Sequence, residues 1–287
     1  MTARQLKDKA IVITGAASGI GEALALELSK RGARLLLADI DAEGLGRVVA
    51  AVKAQGTPCF SLVTDTGSEA AITTLAQEAL SQLGGADMVI NNAGVGLMAP
   101  VAQLDTADAH WLMNINFWGV VHGCRAFIPQ LSHRPDAVLV NISSIFAMVS
   151  MPTQSIYNAS KAAVRGFSDA LREELRTPGI DVLCVHPGGI RTNIANAARI
   201  TDVSMVADSD QEMRDAFSRL ARTSPAQAAE VIIRAMQARK TRVLIGGDAK
   251  FLDLLFRLFP AHASHWFSLL GQRLRQHAKA RAQPVQP

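Results

Sequence analysis

The chain holds one tyrosine, Tyr157, in the stretch IYNASK, and Lys161 follows it four residues later. On a helix that spacing puts both side chains on one face, a turn apart. A free phenol titrates near 10 and is a poor base at neutral pH. A nearby ammonium favours the phenolate, and each unit of depression represents about 1.4 kcal/mol of differential interaction. Bringing the phenol to physiological pH takes roughly two to three units, within reach of one close cation and a second positive group. A tyrosine packed by chance near a solvated lysine would show the same spacing, so the pair alone decides nothing. Ser144, in NISS thirteen residues before the tyrosine, adds a hydroxyl at the end of an apolar run. Such strand ends border the ligand crevice of open α/β sheets. Ser143 competes for that role, but the spacing favours Ser144 and leaves Ser143 to face the core or cap a turn.

A second group of residues suits a dinucleotide. The run AIVIT leads into TGAASGIG, Thr14 to Gly21, and a helical pattern follows. Gly15, Gly19 and Gly21 remove side chains where the backbone turns sharply and approaches a pyrophosphate, with Ser18 and Ile20 in the same turn. The helix amino terminus then offers N–H groups and a positive dipole to that anion. A tight structural turn is the plainer alternative, and the placement after a first strand and before a first helix argues for the ligand. Asp39 ends the next apolar run, eighteen residues past Gly21. A carboxylate there can accept both adenosine ribose hydroxyls and repel a 2′-phosphate. No Lys or Arg follows before Arg47, which favours NAD over NADP. Asp65 can reach the adenine amino group or cap a helix. In NNAG, Asn92 and its neighbour can lock adjacent loops, while Ala93 and Gly94 let the cofactor close.

The elements that must position these residues are legible as runs. Apolar stretches at 10–14, 33–38, 59–64, 86–91, 136–142, 180–186 and 242–246 alternate with segments of helical period such as Ile20–Lys30, Glu43–Ala54 and Glu69–Leu83. Strands apolar throughout and separated by helices predict a parallel sheet covered on both faces, doubly wound by right-handed crossovers. Residues 190–224 hold no clear strand and carry Met205, Met213 and Phe217, which suits a cover over the crevice. Residues 250–287 follow the last strand. There Phe251, Leu254, Leu255 and Leu258 make a helical stripe that Leu252, Phe256 and Phe259 widen, with Trp266, Leu269 and Leu270 as a second face.

With PGGIRTN and with Asn116 in MNINFWG, the order of these motifs resembles that of the short-chain dehydrogenase/reductase family, in its TGxxxGIG/YxxxK branch. The resemblance runs from Lys7 to about Gly246. It implies a Rossmann-like α/β fold of about seven strands spanning 1–249, plus a helical carboxyl-terminal extension over 250–287. It also implies roles. Tyr157 is the general acid/base on a substrate alcohol or carbonyl oxygen. Lys161 lowers its pKa, together with the oxidised nicotinamide, and holds the ribose hydroxyls. Ser144 bonds the same substrate oxygen. Asn116 kinks its helix and holds a water that passes the proton onward. Pro187, Gly188, Ile190 and Thr192 belong to the nicotinamide side of the site, Ile190 and Thr192 fixing the carboxamide. Phe146 and Ala147 stand where many members have glycine, and His186 precedes Pro187. These departures are expected to stay off the proton path, with Phe146 narrowing the pocket.

The resulting expectation is an NAD-dependent oxidoreductase that interconverts a secondary alcohol and a ketone on a hydrophobic small molecule. An NADP-linked ketone or 3-oxoacyl reductase is the alternative enzyme. A non-catalytic, NAD-sensing regulator on the same fold is disfavoured because both Tyr157 and Lys161 are present.

Composition bounds the rest. With 49% hydrophobic and 19% charged residues, the chain can bury a sizeable core. Three scattered cysteines, Cys59, Cys124 and Cys184, share no metal-ligand spacing and read as reduced core residues of a cytoplasmic protein. No signal peptide or membrane span is expected. Of the net +4, residues 250–287 carry +5 (Lys250, Arg257, Arg273, Arg275, Lys279 and Arg281 against Asp253), which leaves −1 for residues 1–249. Nucleic-acid binding by the body gains no support from that distribution. The tail reads as a helix over the crevice or a dimer neighbour, as a peripheral membrane contact, or as a disordered end. A homodimer or homotetramer is expected, pairing through the helices that begin near Thr106 and Tyr157.

Overall fold

The computed structural model describes residues 3–202, 207 and 209–263, apart from the side chains at 217 and 220. Met205, the Phe217 side chain, Trp266, Leu269 and Leu270 lie outside the described residues. The alternation of apolar runs and amphipathic segments folds as expected. β1 (Ala10–Thr14), α1 (Gly19–Ser29), β2 (Arg34–Asp39), α2 (Ala42–Lys53), β3 (Cys59–Val63), α3 (Glu69–Leu83) and β4 (Met88–Asn91) form the first half. After the short β5 (Leu97–Met98) come α4 (Thr106–Met113), a π-helical turn at Asn114–Trp118 and α5 (Gly119–Leu131). The second half is β6 (Val138–Ile142), α6 (Ser155–Glu174), β7 (Asp181–Pro187), β8 (Arg199–Ile200), α7 (Asp210–Leu220), α8 (Pro225–Gln237), β9 (Arg242–Ile245) and α9 (Gly247–Leu258).

Seven strands make one parallel sheet in the order β3-β2-β1-β4-β6-β7-β9. The winding direction reverses between β1 and β4, and the carboxyl ends of those strands open a crevice there. Successive strand residues feed opposite faces. Ile11 and Ile13 join the cluster under α1, α2 and α8, whereas Ala10 and Val12 join the one under α3, α5 and α6. Both faces being covered, the strands read as apolar throughout rather than alternating. Several helices begin where the sequence supplies a cap. Asp41 caps α2, Ser68 caps α3, and Ser224 with Gln227 closes a capping box on α8.

Two regions depart from the sequence reading. Residues 190–224, expected to lack a strand, contain β8, which pairs in parallel with β5 as a separate two-stranded sheet. A side chain on Gly96 would begin only 2.9 Å from the Ala198 Cβ, so this strap needs glycine there. Arg199 fastens it further, stacked 3.7 Å from the Trp111 ring centre and paired with Asp108. The second departure is α9. Of the stripe Phe251, Leu254, Leu255 and Leu258, all but the half-buried Leu255 face outward, and the flanking Leu252 and Phe256 pack inward with Ala249 on Ile145 and Val149. Asp253 explains the rotation: its carboxylate is held on the inner side by Arg242 of β9 and by Arg257. The boundary read at 249/250 therefore falls inside the first turn of a helix that begins at Gly247. Among the described residues no helix is long and apolar enough to cross a membrane.

Candidate active site

The glycine turn after β1 is shaped by backbone crowding. Gly15 and Gly19 adopt positive φ, +65° and +59°, and a Cβ on Gly21 would lie 2.0 Å from the Gly15 carbonyl oxygen. The Asn92 side chain donates to the carbonyls of Thr14 (3.0 Å) and Gly15 (2.9 Å). The Thr14 hydroxyl accepts from the N–H groups of Asn92 and Ala93. β1 and β4 are thus laced together at the winding reversal. Ser18, at the N-cap of α1, makes no side-chain cap bond, in contrast to the capped α2, α3 and α8. The first-turn N–H groups of α1 are therefore available to an anion. Ile20 packs its side chain into the core beneath.

At the adenosine end, Asp39 accepts from the N–H of Ala17 (2.9 Å) with one oxygen and of Asp41 (3.0 Å) with the other. Each oxygen keeps a lone pair, so the carboxylate braces the turn and can still accept from a hydroxyl. Asp65 is exposed and accepts from the Gly67 N–H at 2.9 Å, a local turn just ahead of the Ser68 cap.

The catalytic candidates converge at the carboxyl ends of β4 and β6 and on α6. The Ser144 hydroxyl accepts from the Phe146 N–H at 3.1 Å, and its side chain is near enough to the Tyr157 phenol to act on its titration. Lys161 is buried, with its ammonium 5.9 Å from the Tyr157 ring centre. Among the described residues the Ile142 carbonyl, at 3.1 Å, takes one of its three protons. Two remain for hydroxyls of a ligand. A side chain on Gly94 would crowd this centre, its Cβ lying 3.2 Å from Asn116 Oδ1 and 3.3 Å from Lys161 Nζ. Ser143 turns away and donates to the Lys161 carbonyl at 2.8 Å, so it supports α6.

Asn116 lies within the π-helical turn between α4 and α5. Its amide is engaged by protein on both sides. Oδ1 accepts from the Val95 N–H (2.8 Å), and Nδ2 donates to the Val95 carbonyl (3.0 Å) and to Ser160 Oγ (3.3 Å). With both amide protons so used, the side chain ties the β4 loop to α6.

Electrostatics revise the expectation for the phenol. Burial raises the Tyr157 pKa above its usual 10, and the Ser144 hydrogen bond opposes that rise. Lys161 is brought down to about 8, again by burial, and stays cationic at neutral pH. The protein alone therefore does not carry the phenol to neutrality, because desolvation by burial outweighs the opposing contribution of Ser144. The positive charge of an oxidised nicotinamide is the further contribution such a shift would need.

The departures noted in the sequence are not remote from this centre. Phe146 packs edge-on against Tyr157, ring centres 6.3 Å apart at 80°. His186 Nδ1 lies 3.2 Å from the Ser144 carbonyl, and burial drops this imidazole to about 4, so it is neutral. His186 thus holds the serine's own peptide, a role that sequence reading missed.

On the nicotinamide side, Pro187 ends β7, Ile190 is buried and bridges to Thr223, and the Thr192 N–H donates to the Ile190 carbonyl at 2.8 Å. The Thr192 methyl would lie 3.1 Å from a Cβ on Gly19, which brings this loop against the glycine turn. A Cβ on Gly188 would lie 2.4 Å from the Asp248 carboxylate, a demand for glycine that the sequence did not show. Together the uncapped α1, Asp39, the two open protons of Lys161 and the Ile190–Thr192 loop fit a nicotinamide dinucleotide.

Comparison with known proteins agrees with this geometry. A family model described as short chain dehydrogenase matches residues 9–203. The chain is 40% identical over 254 residues to the Mycobacterium tuberculosis (strain H37Rv) protein named SadH, spanning 87% of this chain and 90% of that one. It is 30% identical over 280 residues to dehydrogenase/reductase SDR family member 7B of Xenopus tropicalis, spanning 96% and 88%. A solved short chain dehydrogenase/reductase from Burkholderia phymatum, in complex with NAD, superposes with a TM-score of 0.82 at 27% identity over 99% of each chain.

Proposed function

The chain belongs to the short-chain dehydrogenase/reductase family, and from that premise we propose that it is an NAD-linked oxidoreductase interconverting a secondary alcohol and its ketone on a hydrophobic small molecule. One observation carries the reading: the only phenol of the chain has the buried Lys161 ammonium 5.9 Å from its ring centre, one helical turn on, and lies within the influence of the Ser144 side chain. A bound nicotinamide supplies or accepts the hydride. Tyr157 exchanges the proton at the substrate oxygen. Ser144 donates to that same oxygen and steadies charge there as the carbonyl and alcohol interconvert. Lys161 turns its two open protons to the ribose hydroxyls and adds positive potential beneath the phenol.

Support for NAD comes from Asp39, whose free lone pairs suit a 2′-hydroxyl and whose charge opposes a 2′-phosphate. The Burkholderia phymatum protein solved with NAD points the same way. A hydrophobic substrate is supported by Phe146 beside Tyr157 and by the apolar cluster of Met98, Ile200, Ala207 and Met213 at the cover.

The test uses a panel of cyclic, long-chain and simple alcohols and ketones followed by NADH absorbance. Tyr157→Phe should reduce turnover at least a thousandfold and leave NADH binding, read by fluorescence, within threefold of the parent. Retained turnover in that variant would remove Tyr157 as acid/base. Tighter binding of NADPH than of NADH would overturn the role given to Asp39.

A further inference from the structure

The helix after the last strand is built into the site, and its second residue is the contact. Asp248 accepts from the Gly189 N–H at 2.7 Å with Oδ2. Its carboxylate fills space that side chains would otherwise occupy on both flanking strand ends. A Cβ on Gly188 would lie 2.4 and 2.6 Å from the two oxygens, and a Cβ on Gly246 would lie 2.2 Å from Oδ1. Gly246 also sits at φ +98°, a backbone state that side chains rarely adopt. Two glycines from separate strand ends therefore leave room for one carboxylate. Around it the loop is already half fixed. The Gly188 N–H donates to the Ile245 carbonyl at 2.9 Å, and the Thr223 N–H donates to the Gly189 carbonyl at 3.3 Å. The Gly189 N–H is the donor left for the aspartate, and the next residue is Ile190.

The same helix reaches the other wall of the crevice. Ala249, Leu252 and Phe256 pack on Ile145 and Val149, with Phe146 and Met148 in the same cluster. These residues directly follow Ser144. Arg242 links the two halves, paired with Asp253 of α9 and 2.9 Å from Met148 Sδ.

We propose that Asp248 is a positioning residue: it holds the Gly188–Gly189 turn so that Ile190 and Thr192 meet the nicotinamide, and α9 is thereby a working part of the cofactor site. The inference rests on the nicotinamide reading given above. A plainer alternative is that Asp248 only favours the start of α9, where a carboxylate in the first turn is stabilised by the helix dipole. The two differ in what they move. A helix-start role changes overall stability, whereas a loop-holding role changes the exchange of particular amides and the affinity for one ligand.

The experiment compares Asp248→Ala and Asp248→Asn in the full chain. Amide hydrogen exchange without cofactor is one readout, and NADH fluorescence titration with steady-state kinetics is the other. In the parent, the Gly189 amide should be protected although its loop borders solvent. Asp248→Ala should speed exchange over 188–192 at least tenfold. It should weaken NADH binding and raise the NADH KM about tenfold, with kcat within threefold. Asp248→Asn, whose side-chain oxygen still accepts, should recover most of the protection and affinity. An unprotected Gly189 amide in the parent overturns the proposal without any variant, including the case in which Asp248→Ala does not fold. So does an Asn variant as impaired as the Ala variant, or a loss confined to thermal stability. Absence of turnover on any alcohol would defeat the reaction assigned above and leave the exchange and binding readouts able to judge Asp248.

Discussion

Burial acts on Tyr157 and Lys161 in one sense, against whichever form carries charge. Because the chain has a single tyrosine, near-ultraviolet absorption of phenolate reports this residue alone. Titration of the cofactor-free protein should give a midpoint above 10, and Tyr157→Phe should abolish the transition. Ser144→Ala should move the midpoint higher still, since the hydrogen bond from Ser144 is what restrains the rise. Saturating NAD should move it down. His186 makes a separate prediction. Its folded pKa is about 4 against 6.5 when free, so between those values the unfolded chain binds the extra proton and acid favours unfolding. The stability contribution is complete above pH 6.5 and is lost as pH falls to 4, with a ceiling of about 3 kcal/mol. His186→Asn, which keeps a donor toward the Ser144 carbonyl, should flatten that part of the stability profile in denaturant titrations at stepped pH.

At the scale of elements, the glycine turn is the least forgiving. A methyl group on Gly21 would meet the backbone of Gly15 at 2.0 Å, and backbone at a strand end cannot move aside cheaply. Gly21→Ala should lower NADH affinity at least tenfold and destabilise the fold by about 1–3 kcal/mol, measurable by fluorescence titration and urea unfolding. This turn was legible in the sequence because its spacing and its place between an apolar run and a helix are both local. The order Ser144, Tyr157, Lys161 was legible for the same reason. His186 was not: it stands 42 residues from Ser144, and only the pairing of β6 with β7 makes them neighbours. β5 and β8 have two residues each, too few to show a period. Which face of α9 packs inward was not legible because apolar residues ring much of the helix. Asp253, read only as a charge in the tail, decides the rotation through an arginine on another strand. The demand that Asp248 places on Gly188 was not legible, because that carboxylate lies 60 residues away.

For the molecule as a whole, the sheet carries two cores, one on each face, and the crevice lies where they meet at the strand ends. Leu37 of β2 is fully buried in one core and Phe127 of α5 in the other. Truncation of either to alanine should cost about 2–5 kcal/mol, and urea midpoints should fall without a change in which cofactor is preferred. The seven strands were readable because a parallel sheet buried on both faces leaves continuous apolar runs. The positions of the covering loop and of α9 were not, because they depend on single polar contacts between distant parts of the chain.

All three cysteines are buried, and burial lifts their thiols to about 11, 12 and 11 for Cys59, Cys124 and Cys184. A thiol that is both enclosed and protonated is a poor nucleophile. Aromatic disulfide reagents should therefore find no fast-reacting sulfur among them in the folded protein. A fourth cysteine placed at outward-facing Leu254 would then take a fluorophore selectively, giving a optical probe of α9 with the native sulfurs left as they are.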